Sequence, residues 1–136
     1  MKSIFTISLP IADRRRSMSF YRAVFDLQLV GAPSEDGIPE PLQFKLDDRS
    51  LLALIPAGGL DWVLGEQPLA PSGHSECLLG FTVAVDAEVD QITQRVKDSG
   101  GSVITEASRE DCGYTALFTD PDGHAWQITA SSVPVG

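Results

Sequence analysis

A single gapless shift of 74 residues lays the second half of this chain on the first: Phe44 falls on Phe118, Asp48 on Asp122, Leu52 on Trp126 and Leu54 on Ile128. The same shift carries Thr6 to Gly80, so the strands that open the two halves also correspond. Such a period confines the chain to two copies of one supersecondary unit, each with the same apolar face to bury. The copy that is easiest to read ends in Phe118 to Ile128. Asp120, Pro121 and Gly123 occupy the first, second and fourth places of a type I turn, where Pro presets φ and Gly lets the chain return to a strand. Asp120 and Asp122 are explained by that turn and not by carboxylate catalysis, since Asp favours corners by accepting from nearby backbone N–H groups. Past the turn, Trp126 and Ile128 share one face of a strand while Ala125, Gln127 and Thr129 share the other.

The same grammar runs through both halves. Phe5, Ile7, Leu9 and Ile11 alternate with smaller, more polar residues as in a strand, Asp13 caps, and Met18, Tyr21, Val24 and Phe25 recur at helical spacing from Arg14 to about Leu27. The run Arg14-Arg15-Arg16 reads as a solvated first turn in preference to an anion site, because a helix N-terminus disfavours cations. Strands are expected at 27–31, 42–46 and 51–55, completing a βαβββ unit. From Pro56 to Glu76 the period is lost among glycines and prolines, and Trp62, Val63 and Leu64 add apolar surface; this connector reads equally as a lid or subunit contact and as a crossover packed on its own domain. Leu79, Phe81, Val83 and Val85 then open the second unit. Asp86 is the candidate cap, Val89, Ile92 and Val96 mark a helix stopped by Gly100-Gly101, and strands follow at about 102–106, 113–119 and beyond the last turn. The expected class is α+β: two tandem βαβββ modules, 1–56 and 77–136, joined by 57–76 into one structural domain.

The chain has 136 residues, ten Lys+Arg against nineteen Asp+Glu, and a net charge of −9. Phosphate surfaces would repel it, which argues against nucleic acid and anionic membranes as partners. Cys77 and Cys112 form neither a disulfide framework nor a zinc motif, so a reducing compartment fits. The N-terminus alternates polar and apolar residues too soon for a signal peptide, and no apolar run is long enough to span a bilayer. A soluble, cytoplasmic protein is expected.

With Leu9-Pro10-Ile11-Ala12-Asp13 and Ser19-Phe20-Tyr21 in the first half, and Gly113-Tyr114 with Phe118 through Gln127 in the second, the chain resembles the vicinal oxygen chelate superfamily. That group includes glyoxalases, extradiol dioxygenases, fosfomycin-resistance enzymes and bleomycin-binding proteins. The resemblance covers nearly the whole chain, and it implies paired modules whose mixed sheet curls into a cup, with helices outside and a ligand or metal inside. It also implies that metal ligands, where present, come from the inward side of each module's first and last strands as His, Gln or Glu. Those places resemble Thr6, Ala53, Gly80 and Gln127 here. A hydroxyl, a methyl group, a glycine and a neutral amide offer no anionic charge to a divalent ion, so no metal or other cofactor is expected. His124 falls on the opposite side of its strand from Gln127, and His74 lies in the connector; one His is too few for a zinc or iron site.

The expected site is therefore a concave face with neutral hydrogen-bonding groups and apolar walls. Thr6, Ser8, Ala53, Gly80, Thr82, Gln127 and Thr129 share it, with Ala84, Leu51 and Ile55 beside them, and Trp62 either lining or filling the space. Tyr114 and Phe118 are further candidates whose facing twist and bulges leave open. Such a face suits a hydrophobic or aromatic small molecule. The favoured reading is metal-independent binding of such a ligand by a homodimer. A metal-dependent lyase or dioxygenase with displaced ligands, and a protein-interaction module whose cup a partner closes, are the alternatives.

Overall fold

Asp13 sets where the first helix begins. In the computed structural model, which describes residues 2–131, its backbone is extended and its carboxylate accepts from the Arg16 N–H at 3.0 Å, satisfying one of the donors a helix start leaves unpaired. Helix α1, Arg14–Phe25, stops two residues before the expected end because Asp26 turns into the left-handed region at φ 53°. The chain divides into two compact units, Met1–Leu69 and Ala70–Gly136, and each is built on this pattern of strand, helix and three further strands.

The first unit holds β1 (Phe5–Ile11), α1, β2 (Gln28–Leu29), β3 (Leu42–Asp47) and β4 (Ser50–Pro56), with sheet order β1-β4-β3-β2. β1 and β4 are parallel; β4–β3 and β3–β2 are antiparallel. Phe20, Tyr21, Phe25 and Phe44 make the aromatic core: Tyr21 lies 5.1 Å from Phe20, 5.9 Å from Phe25 and 6.0 Å from Phe44, centroid to centroid. Leu9, Ile11, Leu52 and Leu54 join them, all buried. Phe5, expected on the same buried face, is 65 % exposed at the start of its strand.

The second unit repeats the plan with β5 (Leu79–Val83), α3 (Asp86–Asp98), β6 (Ser102–Glu110), β7 (Gly113–Thr119) and β8 (Ala125–Ala130), in the order β5-β8-β7-β6. Phe81 stacks on Trp126 at 5.5 Å, and Val89, Val96, Phe118 and Ile128 are wholly buried. Asp86 is not the helix cap: Val85 holds that place without a side-chain bond, and Asp86, the first helical residue, pairs with Arg109 of β6. β6 runs four residues past its expected end, with two register irregularities against β7. The fold is α+β, made of tandem βαβββ modules.

Strand pairing corrects the repeat. Ala53 lies opposite Ser8, and Thr6 opposite Leu51, whereas Gln127 lies opposite Gly80. Since Ala53 and Gln127 correspond at a shift of 74, the counterpart of Gly80 is Ser8, not Thr6. Strand and helix at each module's start therefore match at a shift of 72. The helices agree, for the caps Asp13 and Val85 and the buried residues Ser17, Phe20, Tyr21, Val24 and Val89, Ile92, Thr93, Val96 coincide in the same way. The difference of two residues is even, so every residue stays on the face that the longer shift assigned it.

Two further expectations change. Residues 57–64, read as aperiodic, form helix α2 (Ala57–Leu64), which buries Leu60 and leaves Trp62 84 % exposed. Gly58 and Gly59 had hidden its period. The arginine run is not simply solvated: Arg14 Nη1 pairs with Asp36 Oδ2 at 2.7 Å, its Nη2 donates to the Pro39 carbonyl at 2.6 Å and meets Glu40 Oε2 at 3.2 Å, and Arg15 donates to the Asp36 carbonyl. These bonds tie the acidic 34–40 loop to the start of α1.

Removing a wholly buried ring leaves a cavity the sheet cannot close, so Phe118→Ala is expected to cost about 3–5 kcal/mol in urea unfolding, with Phe5→Ala within about 0.5 kcal/mol of the parent protein. The Ile38 N–H and Ser34 hydroxyl, with Arg14 beside them, hold the Asp36 carboxyl below its ordinary value of 3.8. A carboxyl depressed in the folded state stabilises it above that ordinary value and loses the contribution as pH falls through the folded one. Asp36→Asn is therefore expected to flatten the acid limb of the stability profile below about pH 4, leaving the slope near neutrality unchanged, as pH-dependent thermal melts would read.

Candidate functional site

The register that sends Phe44, Leu52 and Leu54 towards α1 sends their neighbours to the other face. Opposite α1 lie Thr6 and Ser8 of β1, Leu51, Ala53 and Ile55 of β4, and Gln43 and Lys45 of β3. Ala53 is only 4 % exposed, whereas Thr6 and Ser8 are exposed. Helix α2 approaches this face at Ile55, where a Cβ placed on Gly59 would sit 3.4 Å from Ile55 Cγ2. Trp62 stands on that helix and not on a strand.

In the second unit the face opposite α3 carries Gly80 and Thr82 of β5, Gln127 and Thr129 of β8, and Thr115 and Leu117 of β7. Thr82, Thr129, Thr115 and Ser108 are successive ladder partners, which lays a row of hydroxyls across all four strands. Sequence reasoning found Thr82 and Thr129 and missed Thr115, Leu117 and Ser108. The parity of Phe118 would have given Thr115 and Leu117, since odd residues of β7 oppose it. Tyr114 and Phe118 do not line this face. Phe118 is wholly buried, and the Tyr114 hydroxyl donates to Asp90 Oδ1 of α3 at 2.7 Å, a bond that raises the Tyr114 pKa.

The structure thus groups Thr6, Ser8 and Ala53 on one sheet and Gly80, Thr82, Gln127 and Thr129 on the other. Several of these groups have no bond within the protein. Among the described residues, the Gln127 amide and the hydroxyls of Thr6, Ser8 and Thr82 make no side-chain hydrogen bond. An exposed or half-buried polar group in that condition is available to a ligand.

The rungs Ser8–Ala53 and Gly80–Gln127 stand where the resemblance places metal ligands. Their chemistry does not fit a divalent ion: one hydroxyl, one amide, no imidazole and no carboxylate. A Cβ on Gly80 would lie 3.1 Å from the Gln127 carbonyl oxygen, so a larger residue there would press on the neighbouring strand. The histidines are elsewhere. The His124 N–H donates to Asp120 Oδ1 at 2.8 Å inside the β7–β8 turn, and the segment bearing His74 lies against that turn, with Ser72 Oγ donating to the Asp122 carbonyl at 3.4 Å. No group of three or more His, Cys, Asp or Glu suited to a metal occurs among the described residues.

Two open depressions occupy corresponding places beside the starts of α1 and α3. One, about 450 Å³, is bounded by Asp13, Arg14, Asp36 and Pro56; the other, about 410 Å³, by Val85, Asp86, Arg109 and Ala130. Of the residues expected from the sequence at the ligand face, only Ala84 borders either depression, the second.

A pair of βαβββ modules, each with one sheet face under a helix and the other carrying mostly small and neutral groups, with Lys45 the charged residue on the first, defines the class. The chain belongs to the Glyoxalase/Bleomycin resistance protein/Dioxygenase superfamily, whose family model matches residues 3–128. Among solved structures it is similar to a glyoxalase-related enzyme from Fulvimarina pelagi, at 25% identity and TM-score 0.82, covering 100% of this chain and 94% of that one. A lactoylglutathione lyase from Agrobacterium tumefaciens matches at 22% identity and TM-score 0.64, covering 94% and 92%. TnmS3, an antibiotic binding protein from Streptomyces sp. CB03234, matches at 21% and 0.63, covering 97% and 98%. No curated protein matches the chain.

Asp120 holds the turn from which the Gln127 strand departs. Its Oδ1 accepts from the N–H groups of Asp122 and His124 at 3.0 and 2.8 Å, and its carbonyl from that of Gly123 at 3.1 Å, while the residue is 2 % exposed. Asp120→Ala orphans two N–H groups and is expected to destabilise the protein by about 2 kcal/mol in chemical denaturation, with the amide signals of residues 122–127 shifting most in NMR spectra.

Proposed function

We propose that this protein binds a small hydrophobic or aromatic molecule without a metal ion, as a cytoplasmic homodimer. One observation carries the reading: the rungs that would hold a metal present Ser8 with Ala53 and Gly80 with Gln127, a set that can hydrogen-bond an organic ligand and has no charge to offset the dehydration of a cation. Thr6, Ser8 and Ala53, with Leu51 and Ile55, are the ligand-facing groups of the first module; Gly80, Thr82, Gln127 and Thr129 are those of the second. Apolar walls with a few neutral polar groups suit an uncharged or weakly polar compound. Trp62 is the added aromatic contact, on a connector, 57–76, that joins the modules 1–56 and 77–136. The chain's net charge of −9 supports a partner that is neither nucleic acid nor an anionic membrane.

Native mass spectrometry of protein taken directly from its host is expected to give a dimer that carries an organic molecule and no stoichiometric metal. Calorimetric titration with zinc, nickel, manganese and iron is expected to give no stoichiometric binding, and no change on His74→Ala or Gln127→Ala. Tight, stoichiometric retention of any of the four after metal-free purification and reloading would overturn the reading in favour of a metal-dependent lyase or dioxygenase.

A further inference from the structure

The connection between β2 and β3 is longer than the sheet requires. Their counterparts in the second module, β6 and β7, are joined by Asp111 and Cys112 alone, whereas residues 30–41 intervene in the first. The added chain is closed on itself. Pro33 bridges to Pro39, the Ser34 N–H donates to the Ile38 carbonyl at 3.1 Å, and the Gly37 N–H donates to the Ser34 carbonyl at 2.9 Å. Asp36 Oδ1 accepts from the Ser34 hydroxyl at 2.8 Å and from the Ile38 N–H at 3.0 Å. The hold on the rest of the module is much narrower. Among the described residues, every polar tie between residues 34–40 and the rest of the protein ends on Arg14 or Arg15. Ile38 and Pro39 are buried, and the other residues of the segment are exposed. The hold is also imperfect: among the described residues Arg14 Nε is buried with no hydrogen-bond partner, and a buried donor in that state weighs against the closed arrangement.

We infer that residues 33–40 form a latch at the start of α1, with Arg14 as its catch, that swings away as one piece while the sheet and helix of the module stay folded. Gly31, in the left-handed region at φ 86° with open space around it, is the hinge. Opening withdraws Asp36 and Ile38, two of its walls, from the depression of about 450 Å³ beside Asp13, Arg14 and Pro56, and so enlarges it. It also lets water reach Arg14 Nε. The internal bonds travel with the segment, and the carboxylates and guanidinium groups that part are rehydrated. A segment held by so few buried apolar groups opens at less cost than global unfolding. This motion is independent of the ligand-binding reading above.

Thiol labelling of the full chain tests it. In a Cys77→Ser, Cys112→Ser background, Ile38→Cys is expected to react with iodoacetamide at a rate that hardly changes with urea below the unfolding transition, because little surface is exposed on opening. Val24→Cys, in the core of the same module, is expected to react only through unfolding, more slowly and with a steep urea dependence. Arg14→Gln is expected to speed labelling at position 38 about tenfold or more. Arg14→Lys falls between, because an ammonium lacks the fork that reaches Asp36 and the Pro39 carbonyl together. Labelling at position 38 with the rate and urea slope of position 24, or no acceleration by Arg14→Gln, overturns the inference. Where Ile38→Cys does not fold, NMR relaxation of the Ile38 methyl groups decides: exchange broadening in the unmodified protein that grows in Arg14→Gln supports the latch, and its absence from both overturns it.

Discussion

Everything in this molecule depends on an apolar sheet face held against a helix, twice. Phe44 and Phe118 occupy matching places in the two modules, each wholly buried, and each fixes the parity of the strands around it. Period-2 alternation does the rest, because once Phe118 points towards α3, Thr115 and Leu117 must point away from it. The face that carries Thr6, Ser8, Thr82, Gln127 and Thr129 is therefore a by-product of the face that folds. This explains how the family can change its chemistry while keeping its architecture: substitution on the far side of the sheet leaves the core packing alone.

Electrostatics in the first module follow a different logic. The 34–40 loop carries Glu35, Asp36 and Glu40, with Ile38 buried between them. Arg14 and Arg15 gather it in, using carbonyl oxygens as well as the carboxylates of Asp36 and Glu40. Cations at a helix start are unfavourable taken alone. Here the loop supplies the compensating negative groups, so two of the three arginines act as fasteners. In the second module the pair Asp86–Arg109 and the bond from Tyr114 to Asp90 join the corresponding helix to β6 and β7.

Much of this was legible because it depends on periodicity. The fold class, the cap at Asp13, the turn at Asp120–Gly123 and the faces of Ala53, Gly80, Thr82, Gln127 and Thr129 follow from local residue types and alternation. The register did not follow. A gapless shift matched Thr6 to Gly80, and only the pairing of β1 with β4 moved that role to Ser8; parity was right and position wrong, since two residues are one full pleat. Helix α2 escaped notice because Gly58 and Gly59 erase a helical signal that neighbouring strands restore by packing on Leu60. The arginine clamp was invisible for the opposite reason, as its partners lie more than twenty residues along the chain.

The two tryptophans have fallen into opposite surroundings, one in each compact unit. Trp62 stands 84 % exposed on α2, and Trp126 is 2 % exposed in the stack with Phe81. Indole emission shifts with the polarity around the ring, so the protein carries a red-emitting reporter in its first half and a blue-emitting one in its second. Unfolding of the second half moves its indole from apolar surroundings into water and shifts its emission to the red, whereas the first half's ring is in water already and stays constant as an internal reference.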